Sequence, residues 1–281
     1  MSRRCVPVLT IAGSDSSGGA GIQADIKTIS ALGGYAAAAI TAVTAQNTLG
    51  VTAVEAVSPT MVEAQIRAVM TDIVPRSVKI GMTGSRETID AVTCGLSAYA
   101  TVPIVLDPVM VSTSGCRLTE EDAIKSLIER LVPMATLLTP NLPEAEQLVG
   151  HRASTIAERD EAARRILDMG CGAVLIKGGH DMDGDTMEDR LYRFDVRGSM
   201  VIDRFVHTRI DTSNTHGTGC TLSSAIATYL AMGEPLVEAV EKGVNYLQEA
   251  LLHGVDLAIG QGHGPVNHTF NPLPMRADCG V

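Results

Sequence analysis

The sequence has few of the features that would mark a stapled, exported or nucleic-acid-binding protein. Its six cysteines, Cys5, Cys94, Cys116, Cys171, Cys220 and Cys279, are scattered, with no CxxC pair and no histidine pair at a zinc-binding interval. Neither a disulfide framework nor a zinc module is therefore expected, and a reducing compartment suits the pattern. Basic residues are in deficit: 22 Lys and Arg stand against 32 Asp and Glu, a formal charge of -10. A nucleic-acid or anionic-membrane partner favours the opposite balance, so small-molecule chemistry is the expectation. No run reaches the ~18 apolar residues that a membrane span requires. The apolar stretch 6–12 behind Ser2-Arg3-Arg4 opens at once into Ser14-Asp15-Ser16-Ser17 and is too short for an export signal. The expected location is cytoplasmic, where the sequon Asn267-His268-Thr269 is idle. Familiar phosphate devices are missing too. The glycine-rich stretch 13–21 has no Lys-Ser/Thr after it, no strand leads into GxGxxG, and hydrolase and zinc-protease signatures are absent.

What is present is a chain of 281 residues, 45% hydrophobic, long enough to bury a substantial core without staples. Short β-branched runs at 8–11, 39–43, 78–80, 104–106, 137–139 and 174–176 read as strands. Between them, 22–32, 61–72, 87–99, 120–131 and 156–169 carry apolar residues at spacings of three and four, as amphipathic helices do. This alternation is the pattern of βαβ units and a largely parallel sheet. Segments 191–196 and 200–206, around Arg197-Gly198-Ser199, read as an antiparallel hairpin at a sheet edge. Two helices follow, 221–232 closed by Gly233 and 235–252 closed by Gly254. No linker, repeat or low-complexity stretch divides the chain, so one domain over 1–281 is expected.

The polar residues fall in a telling place. Candidate strands run into Gly13-Ser14-Asp15, Gly81-Met82-Thr83-Gly84, Asp107-Pro108, Pro140-Asn141 with Glu144 three residues on, and Lys177-Gly178-Gly179-His180. In a parallel sheet these ends share one edge, the edge at which open α/β folds bind ligands. Turn chemistry accounts for glycine, asparagine and aspartate after a strand, but it does not call for Lys177 or Glu144. A second cluster, His216-Gly217-Thr218-Gly219-Cys220, opens a helix expected to begin near Thr221. Its glycines let successive amides turn inward, and the helix adds its positive end, so an anion is favoured there. The same field is expected to lower the Cys220 pKa.

These blocks also carry a resemblance. Thr10-Ile11-Ala12-Gly13-Ser14-Asp15-Ser16-Ser17-Gly18-Gly19-Ala20-Gly21-Ile22-Gln23-Ala24-Asp25, Thr44-Ala45-Gln46-Asn47-Thr48, Lys79-Ile80-Gly81-Met82, Leu106-Asp107-Pro108-Val109-Met110, Thr139-Pro140-Asn141-Leu142-Pro143-Glu144-Ala145, Lys177-Gly178-Gly179-His180, Asn214 to Thr221 and Gly262 to His268 run in order along the chain. Together, and up to about residue 270, they resemble the hydroxymethylpyrimidine/phosphomethylpyrimidine kinases of the ribokinase-like superfamily. The resemblance implies a three-layer α/β/α sandwich with a largely parallel sheet and a small antiparallel edge hairpin. It implies transfer of the ATP γ-phosphate, with Mg2+, to a hydroxymethylpyrimidine and then to its monophosphate, in a homodimer.

By residue match, Gln46, Asp25, Gly13, Met82 and Val109 would form the pyrimidine pocket. Asp107, Asn141 and Glu144 would serve magnesium directly or through water, and hard oxygen donors suit that ion. Lys177 and the amides of Gly217, Thr218, Gly219 and Cys220 would hold the transferring phosphoryl group, with Cys220 standing where most ribokinase relatives carry an aspartate base. Two other readings stay open: a pyridoxal or pyridoxine kinase, against which Gln46 is the main discriminator, and a non-catalytic pyrimidine-binding protein. His180, His207 and His216 read as turn, surface or supporting residues. The acidic loop 181–185 reads equally as a lid or as a solvated turn. The adenine pocket is not legible.

Overall fold

A computed structural model describes residues 3–111, 115, 120–179 and 185–279 of the chain. Cys116, His180 and residues 181–184 of the acidic loop lie outside the described residues. In chain order the strands are β1 (Arg3–Cys5), β2 (Pro7–Asp15), β3 (Tyr35–Asn47), β4 (Gly50–Ala56), β5 (Ser77–Ile80), β6 (Ile104–Leu106), β7 (Leu137–Leu138), β8 (Ala173–Ile176), β9 (Thr186–Phe194), β10 (Met200–Thr208) and β11 (Ala277–Cys279). The helices are α1 (Gly21–Ala31), α2 (Pro59–Asp72), α3 (Arg86–Leu96), α4 (Glu121–Ser126), α5 (Leu142–Val149), α6 (Ile156–Asp168), α7 (Thr218–Ala231) and α8 (Leu236–Leu252).

Nine strands form one sheet in the order β10-β9-β8-β7-β6-β5-β2-β3-β4, and β1 pairs with β11 beside it. The six strands from β8 to β3 run parallel; β4 on one side, and β9 and β10 on the other, are antiparallel. Alternate side chains on each strand feed two cores. Leu9, Leu106, Leu138 and Val174 pack with α2, α3, α5 and α6 on one face. Val8, Val105, Leu137 and Leu175 pack with α1, α7 and α8 on the other. Strands buried on both faces therefore appear in the sequence as unbroken apolar runs. The result is a three-layer α/β/α sandwich of the ribokinase-like kind, with the antiparallel hairpin at its edge.

Several boundaries differ from the sequence reading for local reasons. The hairpin starts five residues earlier, at Thr186, and its turn is held by Asp195 Oδ1, which accepts from Arg197 N and Ser199 N. The helix expected over 120–131 is α4 followed by a π turn, Leu127–Leu131, and a short 3-10 turn carrying Pro133. Strand β4 and helix α5 were not anticipated. Helix α7 begins at Thr218, three residues before the expected start, so the motif residues are themselves its first turn. The sheet reverses its strand order at β2, whose neighbours are β3 and β5. Loops leaving β2 and β5 consequently diverge and open a crevice at the sheet's C-terminal edge.

Candidate active site

The crevice is framed by a loop that one carboxylate organises. Asp15, 3% exposed, ends β2. Its oxygens accept from Ser17 N (2.8 Å), Ser17 Oγ (2.7 Å), Gly19 N (3.1 Å) and Ala20 N (2.8 Å), and it pairs with His216 Nε2 at 2.8 Å. Burial pushes its pKa up, but the hydrogen bonds from His216, Ser17 and Ala20 outweigh that and hold it down to about 2. Residues 13–21 are thus wrapped around an ionised side chain that reaches 201 positions along the chain.

His216 seats the opposite wall. Its backbone N donates to the Gly264 carbonyl at 3.0 Å and it forms a short parallel bridge with Pro265, which gives the 262–268 motif a structural task. Next to it, Gly217 caps α7 with φ 82°, a left-handed conformation that favours glycine. A Cβ at this position would overlap the Gly19 carbonyl oxygen. Close packing of the β2 loop against the start of α7 requires glycine here.

Helix α7 points its N-terminus at a charged trio. A Cβ on Gly219 would lie 3.2 Å from Asp107 Oδ2 and 3.5 Å from Lys177 Nζ, so these groups stand against its first turn. Lys177 Nζ donates to Asp107 Oδ1 at 3.0 Å and lies 3.7 Å from Glu144 Oε2; Thr139 Oγ1 also donates to Asp107 Oδ1, at 2.9 Å. Burial pushes the Lys177 pKa down, but Asp107 and Glu144 outweigh it and raise it above its ordinary value. Burial raises Glu144, with Lys177 opposing. Asn141 and Glu144 are tied to each other: Asn141 Oδ1 accepts from Glu144 N at 2.9 Å and Glu144 Oε2 from Asn141 N at 2.8 Å. This capping box starts α5 and fixes the direction in which the Glu144 carboxylate points.

Among the described residues no three His, Cys, Asp or Glu converge on one point. A bare-ion cage is therefore not formed. Two carboxylates sharing a lysine fit a magnesium ion that keeps most of its waters and takes its remaining oxygens from phosphate.

Gln46 lies at the far end of β3. Its backbone N donates to Ser16 Oγ at 2.8 Å, and Ser16 Oγ donates back to its carbonyl at 2.7 Å. Its side chain lies between Thr44 Oγ1 and His216 Nε2, at 3.2 and 3.3 Å. The Met82 sulfur approaches Gly13, where a Cβ would be 3.2 Å from it, and Val109 N donates to the Asp107 carbonyl at 2.8 Å. Asp25 lies deeper. It is 0% exposed, and its carboxylate accepts from Thr10 Oγ1 (2.5 Å), Ser224 Oγ (2.7 Å) and Lys79 Nζ (2.9 Å).

Sequence reasoning gave no role to Lys79, although a lysine inside an apolar strand is itself a signal that a buried carboxylate must answer it. Lys79 is 0% exposed, and Asp25, then Cys220 and Asp107, counter the burial that would lower its pKa. His207, read as a turn, surface or supporting residue, lies half-buried in β10 with its Nδ1 covered.

The structure reverses one expectation. Cys220 does lie in the first turn of α7, but burial raises its pKa to about 11, with Lys79 opposing the rise and Asp25 and Asp107 adding to it. The helix terminus does not overcome desolvation between two carboxylates, so the resting group is a protonated thiol.

A parallel sheet with a left-handed glycine opening a helix onto a lysine–carboxylate trio defines a ribokinase-like phosphoryl-transfer enzyme. The phosphomethylpyrimidine kinase family model matches residues 15–267, and the chain belongs to that family. It is 51% identical over 261 residues to a hydroxymethylpyrimidine/phosphomethylpyrimidine kinase of Rhizobium meliloti, covering 92% of this chain and 96% of the relative. It is 49% identical over 269 residues to the thiamine biosynthesis bifunctional protein ThiED of Geobacter sulfurreducens, covering 96% of this chain and spanning about half (53%) of that longer protein. Among solved structures it resembles the Staphylococcus aureus pyridoxal kinase in complex with AMP-PCP and pyridoxal, with a TM-score of 0.85, 33% identity and 96% of each chain covered.

Proposed function

We propose that this protein phosphorylates 4-amino-5-hydroxymethyl-2-methylpyrimidine from ATP and then phosphorylates the monophosphate to the diphosphate, as a step of thiamine diphosphate biosynthesis. The observation that carries the reading is the joining of two subsites by one residue. His216 touches Gln46, the amide suited to an aminopyrimidine edge, and leads directly into the α7 terminus facing Lys177 and Asp107.

Gln46, with Met82, Gly13 and Val109, holds the pyrimidine; Asp25 underlies the site through its pair with Lys79. The amides of Gly217 to Cys220 and the Lys177 ammonium face the charge that develops on the phosphoryl group. Asp107 and Glu144 would hold a hydrated Mg2+, with Asn141 orienting Glu144 through the capping box, and the ion would supply neutralisation of phosphate charge. ATP as donor agrees with the family's kinase chemistry. A homodimer in the cytoplasm completes the proposal, and no helix among the described residues is long and apolar enough to cross a membrane.

The two phosphorylations make different demands on Cys220. The alcohol must lose a proton as it attacks, whereas a phosphate monoester, with a second pKa near 6, is already ionised at neutral pH. Cys220→Ala is expected to lower kcat for the alcohol by about 10²-fold or more and for the monophosphate by much less. Equal losses in both steps would remove Cys220 from proton transfer.

A further inference from the structure

The Gln46 side-chain amide lies between Thr44 Oγ1 and His216 Nε2, two groups whose hydrogens have other acceptors close by. The nitrogen and oxygen of a side-chain amide are nearly isosteric, and their places follow from the partners each one meets. With nitrogen toward His216 and oxygen toward Thr44, the neighbourhood is in conflict at both ends.

At the first end, His216 Nε2 lies 2.8 Å from Asp15 Oδ2. Asp15 is a carboxylate already accepting from Ser17, Gly19 and Ala20, so it offers only lone pairs. Nε2 must therefore carry a hydrogen, whether the ring is neutral or protonated. A Gln46 nitrogen at 3.3 Å would set donor against donor. At the other end, Thr44 Oγ1 lies 3.0 Å from the Ser14 carbonyl and 3.2 Å from the Gln46 amide. A carbonyl can only accept, and the hydroxyl has one proton. Once that proton goes to Ser14, Thr44 can only accept from Gln46.

One rotation of the amide by half a turn removes both conflicts: the threonine hydroxyl then accepts from the nitrogen, and the oxygen takes the longer, minor share of the single Nε2 hydrogen that His216 donates to Asp15. We infer that His216 and Thr44 lock the Gln46 amide with its oxygen toward the imidazole and its nitrogen toward the threonine, and that this lock makes the site select a 4-aminopyrimidine over its 4-oxo counterpart. The inference rests on the proposed pyrimidine kinase activity. A locked amide offers the ligand one acceptor and one donor in a fixed order. An aminopyrimidine edge presents an exocyclic N-H and a bare ring nitrogen, which that order satisfies. A pyrimidin-4-one edge presents a carbonyl and a ring N-H, the reverse order, which the amide could meet only by turning over and restoring both conflicts. Sites built on hydrogen-bond complementarity reject a mismatched edge because buried polar groups are left unpaired. His216 and Thr44 are thus positioning residues, acting on specificity through Gln46.

The test compares kcat/KM for 4-amino-5-hydroxymethyl-2-methylpyrimidine and for the corresponding 5-hydroxymethyl-2-methylpyrimidin-4-one, in wild type, His216→Leu, His216→Gln and Thr44→Val. Wild type is expected to prefer the amino compound by at least about 10²-fold. Thr44→Val, which keeps shape and removes the acceptor, and His216→Leu should each cut that ratio about tenfold or more. His216→Gln, which restores an N-H, should recover part of it. A ratio unchanged in both Thr44→Val and His216→Leu, with both substrates slowed alike, would overturn the lock and leave the proposed function standing. Failure of wild type on the amino compound would instead overturn the proposed function. Thr44→Val keeps the question answerable if His216→Leu does not fold.

Discussion

Cys220 and Lys79 show how burial decides the chemistry of single residues. The thiol, raised to about 11, is almost wholly protonated at pH 7, with a thiolate fraction of roughly 10⁻⁴. If that small fraction takes the substrate proton, the alcohol step should accelerate as pH rises from 7 to 9, while the monophosphate step stays flat. Steady-state rates for the two substrates across that range check this, and a flat alcohol profile would contradict it. Lys79 has the opposite sensitivity. Lys79→Met leaves Asp25 buried with only Thr10 and Ser224 as donors, and removing one partner of such a pair costs about 3–5 kcal/mol. Urea unfolding of the variant measures that loss directly. Lys177 and Glu144 were legible in the sequence because turn chemistry does not call for them after a strand, whereas Gln46 was carried by the family resemblance. The thiol's protonation state was not, because it depends on neighbours brought from α1, β5 and the loop after β6.

At the scale of elements, the start of α7 governs the site. Gly217 is left-handed and lies against Gly19, so Gly217→Ala must move either the helix terminus or the β2 loop. The expected outcome is a fall in kcat of about 10²-fold or more for both phosphorylations, in a protein whose circular dichroism is unchanged. Comparable loss in both steps distinguishes this variant from Cys220→Ala. The expected start at Thr221 placed the helix too late because two glycines and a threonine read as loop residues, whereas the first turn of a helix needs little side-chain support when a glycine caps it. Helix α5 had a sequence signal that was assigned elsewhere: Asn141, Pro143 and Glu144 form a capping box with proline in the first turn, and the same residues resembled a magnesium element. Strand β4 left little trace, since its side chains are mostly exposed and edge strands lack a burial pattern.

Across the whole molecule, the largely parallel sheet was legible from alternation alone, and the crevice followed from the strand ends. What the sequence could not supply was the distance between partners. Asp15 and His216 are 201 positions apart, yet their bond joins the two walls of the site. Because the folded-state pKa of Asp15 is depressed from 3.8 to about 2, its contribution is complete above pH 4 and is lost as pH falls through 2. At neutral pH this corresponds to about 2 kcal/mol, and Asp15→Asn should be less stable than wild type by about that amount. The gap should narrow when both are unfolded at pH 3; a constant gap would locate the effect elsewhere.

The crevice is proposed to take a pyrimidine alcohol and its monophosphate in turn. ADP release with MgATP, comparing hydroxymethylpyrimidine, its monophosphate and pyridoxal at matched concentrations, tests it most directly. Turnover of both pyrimidines with little on pyridoxal is expected, whereas a strong preference for pyridoxal, or silence on all three, would overturn the proposed function.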